Sequence, residues 1–176
     1  MMIREGVLMS YRQTGPWIFS ICIIHAFSQS INTPAPVFSG KTLDGEVISL
    51  SDYKGSVVLL DIWASWCGPC KKEMPFLIET DKKYNAQDLV VLAVNIDKNI
   101  ENVRKFISEL ETPPAFAVIL DNEGAIPALF KIKGMPTTIL IDRNGVIRYS
   151  HTGFKPEKED EYLEQIRSLL KENPES

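Results

Sequence analysis

The chain has 176 residues, 44% of them hydrophobic, and a formal net charge of −4. That length and apolar fraction suit one domain with its own core and exclude two of ordinary size. No Lys/Arg run or basic excess offers a footprint for nucleic acid or an anionic membrane surface.

The N-terminus differs from the rest. Arg4 and Arg12 precede a 12-residue apolar stretch from Pro16 to Phe27, and Ala26-Phe27-Ser28 puts small residues where a signal peptidase cuts. This is the pattern of a secretory signal peptide over residues 1–28, which predicts export to the periplasm. A spanning helix needs about 20 apolar residues, so an uncleaved membrane tether is the poorer reading. A tail on a cytosolic protein is the other alternative. Cys22 does not read as a lipidation site, because Ile21 stands where a small residue is required. Cleavage after Ser28 leaves two cysteines, Cys67 and Cys70.

Residues 29–35 read as a linker into a domain over 36–172. Val37-Phe38 is a candidate edge strand, and Asp44-Gly45 signals a hairpin whose returning strand is Glu46 to Leu50. Val57 to Trp63 (VVLLDIW) is a near-continuous apolar run, as in a strand buried on both faces. A helix follows from about Cys67 to Tyr84, with Pro75 inside it as a source of a kink. Leu89 to Ile96 is a second buried strand. Ile100, Val103, Phe106, Ile107 and Leu110 recur at helical spacing, and Thr112-Pro113-Pro114 ends that helix. Phe116 to Leu120 is a third central strand, and 124–131 a short helix. Thr137 to Asp142, Asn144-Gly145 and Val146 to Ser150 spell a hairpin with a two-residue turn. A C-terminal helix carries Tyr162, Leu163, Ile166, Leu169 and Leu170, and 173–176 is a frayed tail. The order predicts an α/β fold: a central mixed sheet with helices on both faces.

The chemistry concentrates at Cys67-Gly68-Pro69-Cys70, where a buried strand passes into a helix. The first turn of a helix has unpaired N–H groups and a positive dipole end, which favour a thiolate. Cys67 is therefore the expected nucleophile, and Cys70, one turn on, the resolving thiol. A zinc site needs about four ligands, and the mature chain offers these two cysteines and His151. A structural staple is disfavoured by the shortness of the loop it would close. Asp61 stands inside VVLLDIW, where burial raises the pKa of a carboxyl and suits it to proton exchange; a buried pair with Lys83 or another amine is the bland alternative. Glu73 lies three residues after Cys70 on the same helical face, where an exposed helix glutamate is the equally plain reading. Trp63 reads as packing and Trp66 as a partly exposed contact. His151 reads as a surface or strand-edge histidine without assigned chemistry.

Asp61 to Cys70 (DIWASWCGPC) resembles the active-site signature of thioredoxins. Lys71-Lys72-Glu73-Met74-Pro75, the leader Ala35-Pro36-x-Phe38 and the N-terminal hairpin resemble the TlpA/ResA branch. Gly134-Met135-Pro136-Thr137-Thr138 is similar to the family's cis-proline loop. Together these cover roughly residues 35 to 171. The resemblance implies a thioredoxin fold with an N-terminal β-hairpin extension and a helical insertion. It implies a cis Pro136 facing the cysteines, with Trp66, Gly68, Pro69, Met135 and Pro136 binding substrate. It gives Asp61 proton exchange with Cys70, and Glu73 a part in setting the cysteine pKa values. The chain departs from the branch in carrying both acids.

The expected activity is reduction of disulfides in exported proteins, as in cytochrome c maturation. Protein dithiols and disulfides are the expected substrates, a membrane thiol protein the electron donor, and a monomer the expected state. No cofactor beyond the cysteine pair and no metal is implied. An oxidant or isomerase uses the same cysteines in the other direction. A partner-binding module with incidental redox activity is the reading from outside enzymology. A peroxidase fits the Pro36-x-Phe38 leader but lacks an isolated peroxidatic cysteine.

Overall fold

A computed structural model describes residues 31–172. The expected signal peptide, Cys22 and the tail 173–176 lie outside the described residues. The elements are β1 (Thr33–Pro34), β2 (Ser39–Thr42), β3 (Val47–Ser49), β4 (Val57–Trp63), α1 (Gly68–Tyr84), β5 (Leu89–Asn95), α2 (Ile100–Ser108), β6 (Ala117–Leu120), α3 (Ala125–Leu129), β7 (Thr137–Ile141), β8 (Val146–Thr152) and α4 (Glu159–Lys171). The eight strands form one sheet in the order β1-β8-β7-β4-β5-β6-β2-β3. The β4/β5 and β5/β6 pairs are parallel, and β7 joins β4 antiparallel, so the sheet is mixed as expected.

Strand parity sorts the side chains of β4. Val58, Leu60 and Ile62 point to one face, where they pack with Ile126 and Phe130 from α3 and its end. Val57 and Leu59 point to the other face, against Leu77 of α1 and Ile166 and Leu169 of α4. Trp63 shares that second face with Met74 of α1 and Val103 and Phe106 of α2. Three helices thus cover one face and α3 the other. All seven β4 residues are buried because neither face meets water. Burying each large aliphatic side chain contributes about 1.5–3 kcal/mol. The helix α2 lies between the parallel neighbours β5 and β6.

Several boundaries differ from expectation. Thr33 and Pro34, expected within a linker, pair with Ile147 and Val146 of β8. A proline is tolerated in such a short strand at the sheet's margin. The first hairpin strand starts at Ser39, and Val37 before it is 69% exposed. The returning strand ends at Ser49, whose side chain caps a 3-10 turn over Leu50–Tyr53.

Both hairpins close with three-residue loops, not the two-residue turn read at Asn144-Gly145. Thr42 N–H bonds Glu46 O, and Gly45 N–H bonds Thr42 O; Asp142 N–H bonds Val146 O, and Gly145 N–H bonds Asp142 O. Gly45 and Gly145 take positive φ, 95° and 80°, which is the geometry of a turn followed by a glycine bulge. Asp142 Oδ1 accepts from Asn144 N–H and Val146 N–H, and so holds the wider loop. Among the described residues no helix is long and apolar enough to cross a membrane.

Candidate active site

The end of β4 delivers the chain into Ala64-Ser65-Trp66 and then the head of α1. Cys67 is the N-cap residue with extended backbone (φ −83°, ψ 110°), and its sulfur accepts Cys70 N–H at 3.3 Å. Pro69 sits in the first turn, where a missing N–H costs nothing. The two cysteines are joined, with Cα atoms 5.3 Å apart. Cys67 is 7% exposed and Cys70 1%, so the first is the more accessible sulfur. The helix runs on through Pro75 to Tyr84.

A buried polar network pins the loop ahead of Cys67. Asp97 accepts Ser65 N–H at 2.8 Å and Ser65 Oγ–H at 2.9 Å. Asn95 Nδ2 donates to the same carboxylate at 2.7 Å, and Asn95 Oδ1 accepts Asp97 N–H at 2.9 Å. Trp66 follows at 64% exposure and forms an apolar surface beside the cysteines. Behind them Trp63 is buried against Phe106, with ring centroids 5.2 Å apart, and Lys71 Nζ lies over the far ring at 5.8 Å.

The Met135–Pro136 peptide is cis. Met135 packs against the cluster that contains both cysteines, so this loop faces them. It is held by Gly153 N–H to Pro136 O at 2.8 Å and by Thr137 Oγ–H to Gly134 O at 2.8 Å. The structure therefore brings Trp66, Gly68, Pro69, Met135 and Pro136 to one end of the sheet with the cysteine pair.

Asp61 and Glu73 are each 1% exposed. Asp61 lies on the α1 face of β4, between Leu59 and Trp63 in strand parity. Glu73 is one turn along α1 from Cys70. Glu73 Oε1 accepts Thr138 Oγ–H at 2.6 Å. The other oxygen, Oε2, and Asp61 Oδ1 are buried without a hydrogen-bond partner. Burial raises the Asp61 pKa well above the usual carboxylate range, and the nearby Glu73 raises it further. Burial pushes Glu73 up to about 7 against the opposing pull of the Thr138 bond. Neither plain alternative holds. Lys83 lies over the Tyr84 ring at 5.2 Å, and Glu73 is not an exposed helix residue.

Sequence reasoning passed over Ser65, Asn95, Asp97 and Thr138. Asn95-Ile96-Asp97 at the end of an apolar strand was a usable signal, because polar residues there sit at the sheet edge that carries the cysteines. Thr138 had none, since its partner is 65 residues away. His151, expected at the surface or a strand edge, is half-buried on β8 beyond the residues that β1 pairs, with its ring 4.2 Å from that of Tyr162 and Nε2 2.7 Å from Gln165 Oε1. Among the described residues no group of three or more His, Cys, Asp or Glu is placed to hold a metal ion.

A family model described as Redoxin matches residues 30–166. The thioredoxin-like protein YneN of Bacillus subtilis (strain 168) is 42% identical over 130 residues, 72% of this chain and 74% of that protein. The thiol-disulfide oxidoreductase ResA of Geobacillus thermodenitrificans (strain NG80-2) is 34% identical over 140 residues, 78% of this chain and 79% of its own length. A Chlorobium tepidum crystal structure ascribed to a thiol:disulfide interchange protein DsbE superposes with a TM-score of 0.77 at 41% identity, covering 81% of this chain and 99% of that one.

Proposed function

The chain belongs to the TlpA/ResA-like branch of the thioredoxin-fold Redoxin proteins and is a thiol–disulfide oxidoreductase; on that premise we propose that it reduces disulfides of exported proteins through Cys67 and Cys70. The observation that carries this reading is the cysteine pair at the head of α1 with two buried carboxyls on the same side of the sheet.

Each step follows from position. The Cys67 thiolate, favoured by the helix N-terminus, attacks one sulfur of a substrate disulfide and expels the other as a thiolate. An extended substrate lies along Met135-Pro136, its backbone added to the loop like a strand, with Trp66, Gly68 and Pro69 forming the rest of the contact. Cys70 then gives its proton to the Asp61/Glu73 pair and attacks Cys67 Sγ. The Cys67–Cys70 disulfide forms, and the second substrate thiolate leaves. Two electrons pass from the cysteine pair to the substrate, and no further cofactor is needed.

The direction follows from the charges. An oxidising protein of this kind has its reduced form stabilised through the thiolate. Acidic groups buried beside Cys70 oppose that stabilisation, which favours the reductant. In this reading residues 1–28 direct export to the periplasm. The substrates include apocytochrome c, the donor is a membrane thiol protein, and the chain works as a monomer. An oxidant or isomerase shares the cysteine geometry but not this electrostatic bias.

The reduction potential of the purified chain, equilibrated against dithiothreitol or glutathione buffers, tests the direction. A value at or below about −250 mV is expected, and a value of about −120 to −180 mV reverses the assignment.

A further inference from the structure

The two buried carboxyls pose a problem of access. Asp61 and Glu73 are 1% exposed, so a proton taken from Cys70 needs a way out. Leu59, on the same face of β4 as Asp61, and Leu77, one turn along α1 from Glu73, belong to a buried apolar cluster that offers no polar route on that side. The sheet register supplies another direction. Asp61 pairs with Thr138 across β4 and β7, and Thr138 pairs with His151 across β7 and β8. Residues paired across strands point to the same face, with Cβ atoms about 4.5–5.5 Å apart. Asp61, Thr138 and His151 therefore form one row on the face covered by α1 and α4. Thr138 already donates to Glu73 within that row.

The row ends in a cleft. A cavity of about 450 Å³ is lined by His151, Tyr162, Pro69, Lys155 and Lys158, among others. It joins His151 to the active-site turn itself. Gln165 Oε1 lies 2.7 Å from Nε2; in the tautomer that carries its hydrogen on Nε2, the amide oxygen accepts it and the lone pair is left on Nδ1. The ring is held in place by its contact with Tyr162.

We propose that His151 is the proton relay between the buried Asp61/Glu73 pair and solvent, passing protons through the Thr138 hydroxyl. The proposal rests on the pair's role as the acceptor of the Cys70 proton. Once the carboxyl pair is protonated, the Thr138 hydroxyl turns to accept from the Glu73 carboxyl; its oxygen takes that proton while its own hydrogen passes to Nδ1, directly or through one water, which leaves the hydroxyl donating to Glu73 again. The imidazolium then loses a proton to water in the cleft, and the path runs backwards when the disulfide is reduced again. Imidazole suits the task because one ring nitrogen can accept a proton while the other carries one. The groups around it are Thr138 from β7, Tyr162 and Gln165 from α4, Pro69 from α1, and Lys155 and Lys158 ahead of α4; Glu73 of α1 and Asp61 of β4 lie beyond Thr138. Of the two lysines, Lys158 is paired with Glu161 at 3.3 Å. His151 is a positioning and transfer group and does not touch the reacting sulfurs.

The test uses the full chain in its dithiol form, reducing the disulfide of a model protein such as insulin in a single turnover. Rates are followed from pH 5.5 to 9 in dilute buffer, with and without added imidazole. His151→Ala is expected to slow the resolving step about tenfold near neutral pH, with imidazole restoring most of the loss. His151→Gln, which keeps bulk at the site, is expected to be slowed without rescue. The equilibrium reduction potential is expected to be unchanged in both, because a relay alters rates and not end states. Wild-type rates in both variants at every buffer concentration overturn the relay, and so does a slowed His151→Ala that imidazole does not rescue. The variant Asp61→Asn/Glu73→Gln separates the two levels. If it is slow while the His151 variants are not, the relay fails and the pair stands. If it keeps the wild-type rate and pH profile, the pair is not the proton acceptor and the relay falls with it.

Discussion

The Thr138 hydroxyl donates to Glu73 Oε1 at 2.6 Å, tying β7 to α1 beneath the cysteines. It is the one interaction that opposes the rise of the Glu73 pKa caused by burial. Thr138→Val keeps the shape and removes the donor. The carboxyl pKa is expected to climb further above about 7. An isotope-edited infrared titration of the protonated carboxyl measures it, and an unmoved midpoint would falsify this account of the bond.

The pair also makes stability depend on pH. Folding raises Glu73 from its ordinary 4.5 to about 7, and raises Asp61 as well. A carboxyl raised on folding binds its proton more tightly in the folded chain than in the unfolded one. Its stabilising contribution is complete below about pH 4.5 and is lost as pH rises through about 7. Urea unfolding is therefore expected to show a decline in this contribution across that window. Asp61→Asn/Glu73→Gln should flatten it. A pH dependence identical to wild type in that variant would show that the two acids do not carry the effect.

The loop before Cys67 depends on one carboxylate. Asp97→Ala strands three donors at once, the Ser65 N–H, the Ser65 hydroxyl and the Asn95 amide. It is expected to cost about 2–4 kcal/mol, and Ser65→Ala, which removes a single bond, about 1 kcal/mol. Alkylation of Cys67 should change in Asp97→Ala, because the turn that presents its sulfur is loosened. Equal stability of the two variants would mean that the network does not hold the loop.

Gly40 tests the packing of the N-terminal hairpin. A Cβ at this position would stand 2.4 Å from Ile119 Cγ2, inside contact distance of a strand side chain buried beneath α3. Gly40→Ala is expected to cost about 1–3 kcal/mol by overpacking. Because β2 lies three strands from β4, activity per folded molecule should be retained. A thermal midpoint equal to wild type would show that the hairpin shifts freely against β6.

Local chemistry made much of this molecule readable. VVLLDIW is apolar at every position but one and rich in β-branched residues, which suits a strand covered on both faces, so β4 and its odd residue Asp61 stood out. The Cys67–Cys70 spacing at a strand–helix junction carried the chemistry without any tertiary information. The cis state of Pro136 came from the resemblance of the loop, since most X–Pro bonds in any chain are trans.

What the tertiary structure alone decided are the relations between distant segments. Helical spacing places Glu73 on the face of Cys70, but not whether that face meets water or the Asp61 side of β4. That depends on how α1 lies against a strand that precedes it and a strand more than 60 residues later. The three-residue loops at Gly45 and Gly145 were hidden for a related reason: the same dipeptides serve two loop lengths, and the strand register selects one. The row from Asp61 through Thr138 to His151 has no sequence periodicity, because it runs across strands and not along them. Burial of a continuous apolar run can be read from the chain that carries it, whereas proximity across a sheet is fixed only when the strands pair.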